Sequence, residues 1–224
     1  MPLPTLPSGL YALCDDSVRP ELPLVAKAQA LLEGGVRVLQ LRMKRTGGRE
    51  AVVVAREIVE RCHAVDALCI INDRVDWALL AGADGVHLGE EDLAPSDART
   101  LLGPGRLIGV TVRTAEMAQV ARAAGAGYVG AGPVFSTSSK TVSAPVMGTA
   151  ALARLVVESP LPVVGIGGIG LANIGQVAAT GAHGAAVLSD LLLSGDVAGR
   201  ARALADAFAA GSRTRGGNGA GDGR

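Results

Sequence analysis

The chain has 224 residues, with 21 Lys+Arg balanced by 21 Asp+Glu and aromatics at only 2%. A near-zero net charge gives no basic field for nucleic acid or an anionic membrane, and so few aromatics provide no base-stacking platform. The length suits one or two domains with a sizeable core.

MPLPTLPSG (1–9) has no basic stretch followed by an apolar run, so it reads as an N-terminal extension and not a signal peptide. LYALC (10–14) is the first apolar strand, and it ends in Asp15 and Asp16. LEGGVRVLQ (32–40) ends a helical pattern at Gly and enters a second strand, which runs out through Gln40, Arg42 and Lys44 on one side. LCIIN (68–72) gives a third strand, running into Asn72 and Asp73. LAGADGVHL (80–88) repeats the helix–Gly–strand junction and leads to His87, then Glu90, Glu91 and Asp92. LIGVT (107–111) ends in Thr111 and Arg113, and AAGAGYVGA (123–131) leads through a long loop with Thr137, Ser138, Ser139 and Lys140. PVVGIG (162–167) ends in Gly167 and Gly168, and ATGAHGAAV (179–187) ends in Leu188, Ser189 and Asp190.

The segment between Glu158 and Asp190 carries no charge and is long enough to cross a bilayer. Pro160, Pro162 and seven glycines break it, so it reads as strand, turn, helix, turn and strand, with no membrane span. GSRTRGGNGAGDGR (211–224) has no apolar side chain larger than Ala and is expected to be a disordered tail. Cys14, Cys62 and Cys69 make no CxxC pair, which fits a reducing compartment, the cytoplasm.

Eight near-continuous apolar strands alternating with about eight helices predict an α/β chain, a single (β/α)8 TIM barrel over residues 10–210. An open dinucleotide-binding sheet would want GxGxxG after the first strand, and LYALCDD has none. The polar residues cluster at the carboxyl ends of the strands, while the opposite junctions carry mostly Gly, Ala and Pro. In a barrel those ends meet at one mouth, where catalytic groups gather.

Residue types narrow the chemistry. GIGG after strand seven and Ser189 after strand eight suit a phosphate; a turn needed only for packing is the alternative. Asp73 and Asp92 follow neighbouring strands and could share Mg2+ or cap the helices that follow. Asp76 reads as a cap and Asp84 as structural, and for His87 supporting and catalytic roles both stay open.

These motifs resemble the thiamine phosphate synthase family over about residues 10–209: QLRMK (40–44), INDRVD (71–76), GADGVHLGEEDL (82–93), IGVTVRT (108–114), GYVGAGPVFSTSSK (127–140), VVGIGGI (163–169) and AAVLSD (185–190). The resemblance implies a transferase that joins hydroxymethylpyrimidine diphosphate and thiazole phosphate. Pyrophosphate departs through a pyrimidine-methyl cation, and thiamine phosphate forms. It implies Mg2+ ligands at Asp73 and Asp92, contacts to the diphosphate substrate from Gln40, Arg42 and Lys44, and a diphosphate ligand at Asn72. Thr111 stands where the family often has Ser. Thr137, Ser139 and Lys140 match a closing loop, and Gly168, Leu188 and Ser189 the thiazole-phosphate contacts. Lys140, Arg42 and Thr111 are the implied catalytic side chains.

The chain departs from the family at Met43, where Glu is usual, and at Ser139, Thr141 and Arg113. An isomerase of the thiazole within the same family and a silent phosphate-binding barrel are the alternatives. The implied partners are the two small-molecule substrates. A homo-oligomer is compatible with the sequence, which does not fix the number of copies.

Overall fold

The computed structural model describes residues 5–137 and 145–217. Eight parallel strands close in sequential order, β8 pairing with β1: β1 Gly9–Asp15, β2 Val38–Arg42, β3 Leu68–Asn72, β4 Gly85–Leu88, β5 Leu107–Val112, β6 Tyr128–Ala131, β7 Val163–Ile166 and β8 Gly184–Val187. Helices α1 Leu24–Glu33, α2 Gly48–His63, α3 Val75–Ala81, α4 Pro95–Leu102, α5 Ala115–Ala123, α6 Gly148–Glu158 and α7 Ile174–Ala179 follow strands one to seven. After β8 come a one-turn helix, α8 Ser189–Leu192, and a long one, α9 Val197–Gly217. The expected (β/α)8 barrel is thus the observed one.

The repeated junctions work as their glycines require. Gly35, Gly82, Gly125 and Gly181 all have positive φ, from 73° to 91°, where a residue with a Cβ is strained. Each turns the chain from a helix end back into the next strand.

Two apolar layers result. One, between sheet and helices, includes Leu39, Leu41, Ile71, Val86, Ile108 and Val129. The other fills the barrel interior with Tyr11, Leu13, Val38, Ile70, Tyr128, Val164 and Ala186. Alternation along each strand assigns residues to one layer or the other. The uncharged stretch 159–189 is strand, turn, helix, turn and strand, and no helix among the described residues is long and apolar enough to cross a membrane.

Both terminal segments pack on the barrel where they are described, and the expectation for the C-terminal one needs revision. Leu6 is buried and its carbonyl oxygen lies 2.7 Å from His183 Nε2, so the N-terminal extension packs against the barrel before β1 begins. At the other end, the residues from 211 expected to form a disordered tail are helical through Gly217, and 218–224 lie outside the described residues. The reason is close approach. A Cβ at Gly211 would collide with the backbone of Gly175 in α7, so the missing side chain is itself the packing surface.

Candidate active site

Strand β2 presents Gln40 and Arg42 in alternation, with Gln40 buried in the barrel and Arg42 half-buried at its rim. Arg42 does not stand alone. Its Nη1 donates to Oδ2 of Asp15, the residue paired with it in the β1–β2 register and fully buried. Asp15 Oδ1 also accepts the backbone N–H groups of Ser17 at 2.6 Å and Val18 at 3.2 Å, and the Ser17 hydroxyl. Buried Lys27 donates to the carbonyl oxygens of Asp15 at 2.9 Å and Val18 at 2.6 Å.

The neighbouring Asp16 holds the next loop. Its carboxylate accepts backbone N–H groups from Lys44 at 2.9 Å, Arg45 at 2.9 Å and Thr46 at 2.7 Å. Burial pushes this carboxyl upward, but the three N–H donors outweigh it and hold it below its ordinary value. Lys44 thereby starts from a fixed backbone, just beyond β2, and its ammonium reaches Asp73 Oδ2.

Asp73 follows β3 directly, with φ at 63°. That left-handed backbone is uncommon outside glycine, and Asp tolerates it better than most residues. It swings the carboxylate toward Asp92 from the β4 loop. Burial first, and then Asp73, raise the Asp92 carboxyl, while the Gly89 N–H at 2.6 Å and the Lys44 ammonium act in the opposite direction. Asp92 is therefore no helix cap; α4 starts at Pro95 after Ala94.

Asp76 is no cap either. The N-cap of α3 is Arg74, without a side-chain cap bond. Asp76 instead pairs with the Arg74 guanidinium at 2.5–2.8 Å, and Arg74 lies 4.2 Å from the centroid of Trp77. Asp84 keeps its expected structural role at the far end of the barrel, accepting the Cys69 N–H at 2.8 Å.

At the remaining strand ends, Arg113 donates to Glu90 at 2.9 Å across the β4 and β5 loops. Thr111 is half-buried, with Oγ1 3.2 Å from His87 Nε2. Gly167 and Gly168 after β7 both have positive φ, 97° and 64°. Asn173 laces this turn, accepting the Gly170 N–H at 2.8 Å and donating to the Gly168 carbonyl at 2.9 Å. Leu188 and Ser189 stand beside it at the start of α8, where Leu188 packs on the interior layer. Thr137 closes the described part of the β6 loop, whereas Ser139 and Lys140, with Thr141, lie outside the described residues. Among the described residues no group of three His, Cys, Asp or Glu forms a metal cluster. Asp73 and Asp92 are a pair.

Asp15, Asp16 and the interior tyrosines had no assigned role in the sequence. The "DD" ending β1 was the one visible signal. Cavities of about 350 and 450 Å3 open elsewhere, around Arg37 and Phe208 and around Asp84 and Arg106, away from this cluster.

An eight-stranded barrel with carboxylates, cationic side chains and a glycine turn gathered at the carboxyl ends of its strands has the architecture of a (β/α)8 enzyme. Residues 10–191 match the thiamine monophosphate synthase family. A thiamine-phosphate synthase of Myxococcus xanthus (strain DK1622) is 61% identical over 205 residues, covering 92% of this chain and 94% of that protein. One from Methanospirillum hungatei JF-1 is 41% identical over 198 residues, covering 88% and 96%. The solved thiamine phosphate pyrophosphorylase of Pyrococcus furiosus superposes with a TM-score of 0.82 at 34% identity, covering 91% of this chain and 96% of that one. The chain belongs to the thiamine monophosphate synthase family.

Proposed function

We propose that this chain joins hydroxymethylpyrimidine diphosphate to thiazole phosphate, giving thiamine phosphate and pyrophosphate, with Mg2+ held between Asp73 and Asp92. The observation that carries the reading is the placement of Asp73, Asp92, Lys44 and an anchored Arg42 around one edge of the barrel mouth in a member of this family.

The acid pair fits the metal. Two carboxylates within hydrogen-bond reach of each other are costly unless cationic charge lies near them. Hard carboxylate oxygens suit Mg2+, and Asp73 and Asp92 would be the residues that hold it. When bound, Mg2+ neutralises charge that develops on departing pyrophosphate.

The chain's own residues supply the rest. Arg42, oriented by Asp15, offers fixed guanidinium donors to a diphosphate; Asn72, ending β3, adds an amide, and Lys44 adds an ammonium beside Asp73. Lys140, by the family resemblance, joins them on leaving pyrophosphate. The Gly167–Gly168 turn with Ser189 takes the thiazole phosphate. A ring nitrogen of the thiazole is already a nucleophile, so no strong general base is needed. Arg113, bound to Glu90, has no ring nitrogen with which to shuttle a proton, and this favours the synthase over the isomerase alternative. The buried thiols of Cys14, Cys62 and Cys69 agree with a cytoplasmic setting.

The test is to mix protein, both substrates and Mg2+, and follow thiamine phosphate and pyrophosphate by mass. Equimolar, metal-dependent appearance of both products is expected. Isomerised thiazole phosphate as the sole product, or no turnover with one phosphate bound, overturns the reading.

A further inference from the structure

Five polar side chains cross the barrel interior from β1 and β2 to β4 and β5. Gln40 Nε2 donates to Tyr11 Oη at 2.9 Å, and Tyr11 Oη lies 2.8 Å from Tyr128 Oη. Tyr128 Oη is 3.2 Å from His87 Nδ1, and His87 Nε2 is 3.2 Å from Thr111 Oγ1. The rings stack obliquely, with centroids 6.0 Å apart for the tyrosines and 5.6 Å for His87 and Tyr128. Space has been cleared for them: a Cβ at Gly109 would come within 2.6 Å of His87 Nδ1 and collide with Tyr128, and one at Gly130 would come within 2.9 Å of His87 Cε1.

With Gln40 Nε2 facing Tyr11, proton counting gives this chain a direction. Tyr11 accepts from Gln40, so its own proton needs another acceptor, and at full burial an unmet donor is costly. Tyr128 Oη is that acceptor. Tyr128 then gives its proton to His87 Nδ1. With a single ring proton, His87 would carry it on Nε2 and give it to Thr111 Oγ1. Thr111, having accepted, keeps a proton to offer elsewhere. Burial holds both phenols above their ordinary range, so neither breaks the series by ionising. The opposite direction is also self-consistent, but only with the Gln40 amide turned over, and it spends the Thr111 proton on His87.

We propose that Gln40, Tyr11, Tyr128, His87 and Thr111 act as one directional hydrogen-bond chain that fixes His87 as the Nε2–H tautomer and makes Thr111 a hydrogen-bond donor to the substrate. Tyr11, Tyr128 and His87 are positioning residues here. They set what Gln40 and Thr111 present: an amide oxygen at one end and a hydroxyl proton at the other. A ring-nitrogen acceptor on the pyrimidine substrate is matched to that proton. The kinetic consequence rests on the synthase reading; the tautomer does not.

The experiment is nitrogen NMR of ring-labelled histidine in the full chain, with His63→Gln and His183→Gln leaving His87 as the only signal. The expected spectrum is dominantly the Nε2–H tautomer. Tyr128→Phe removes the donor to Nδ1 and shifts His87 toward a mixture. It raises KM for the pyrimidine diphosphate about 10-fold, leaving kcat within about 3-fold, as expected for loss of ground-state positioning. An Nδ1–H tautomer in the parent protein overturns the proposal, because the chain then runs the other way. So does a Tyr128→Phe protein with an unchanged tautomer, or with a shifted tautomer and an unchanged KM. A dominantly Nε2–H spectrum in a protein that makes no thiamine phosphate supports the chain and removes the synthase reading instead. The measurement on the parent protein decides the direction even where Tyr128→Phe folds poorly.

Discussion

Asp15, with no exposed surface, holds the Arg42 guanidinium at the rim of the barrel, and Arg42 is the residue beside it in the β1–β2 register. A charge removed from water in this way fixes the groups it pairs with, here Arg42 and the Ser17–Val18 turn. Asp15→Asn keeps the shape and removes the charge. It is expected to lower kcat about 10²-fold, the scale of losing one preorganised donor. It should also cost less stability than the roughly 3–5 kcal/mol of breaking a fully buried pair, because Arg42 retains some solvent. Steady-state kinetics and a denaturant melt check both; unchanged kcat would make Asp15 a purely structural anion.

The acid pair gives a metal prediction. Asp73 has a left-handed backbone, so Ala there adds strain, whereas Asn tolerates the conformation. Asp73→Asn and Asp92→Asn should each abolish Mg2+-dependent turnover and leave thiazole phosphate binding within about 3-fold, since the Gly168–Ser189 region is separate. Calorimetric Mg2+ titration with the diphosphate present is the direct readout. Asp76→Ala loses only the exposed pair with Arg74, costs about 0.5 kcal/mol or less, and keeps normal metal dependence. Loss of metal dependence in Asp76→Ala with its retention in Asp73→Asn would reverse the assignment.

Asp16 predicts a feature of acid unfolding. Its folded carboxyl sits below the ordinary value of about 3.9, so it stabilises the fold above that pH. That contribution disappears as pH falls through the lowered folded value. Asp16→Asn should therefore lower stability at neutral pH and flatten the loss of stability as pH falls below the ordinary carboxylate range. Equal steepness of the acid limb in both proteins would show that the three N–H bonds do not act through the charge.

Lys140 lies outside the described residues, and its role comes from the family resemblance. Lys140→Ala is expected to lower kcat about 10²-fold or more with the melting temperature unchanged. Parent-like kcat would return this residue to an ordinary loop lysine.

At the C-terminus, Gly211→Val forces a side chain into the backbone of Gly175 and should cost about 1–3 kcal/mol. Deleting residues 211–224 removes helix that packs on α7 and should lower the melting temperature by several degrees, roughly 2–4 °C per kcal/mol lost. Deleting only 218–224 should leave it unchanged. Thermal melts of the three proteins separate these cases.

The sequence by itself determined the barrel, the ends of its strands and the side chains gathered there. Those signals are local: an apolar run marks a buried strand, a glycine past a helix marks the return, and a polar residue breaking the run marks the mouth. Asn72, Asp73 and Asp92 were legible for that reason. The residues that support them were not. Asp15 and Arg42 are 27 residues apart, and Tyr11 and Tyr128 are 117 apart. Only strand register and closure of β8 onto β1 bring such pairs within hydrogen-bond distance. Likewise, the Gly- and Arg-rich run after 210 reads locally as tail, and it became helix because Gly211 meets Gly175 across two packed helices. Asp76 is an ion-pair partner and not a cap, because the N-cap position falls on Arg74, whose guanidinium reaches Asp76 and lies over Trp77. Local propensity selects the elements, but the partners of a buried polar group are chosen by the geometry that removes it from water.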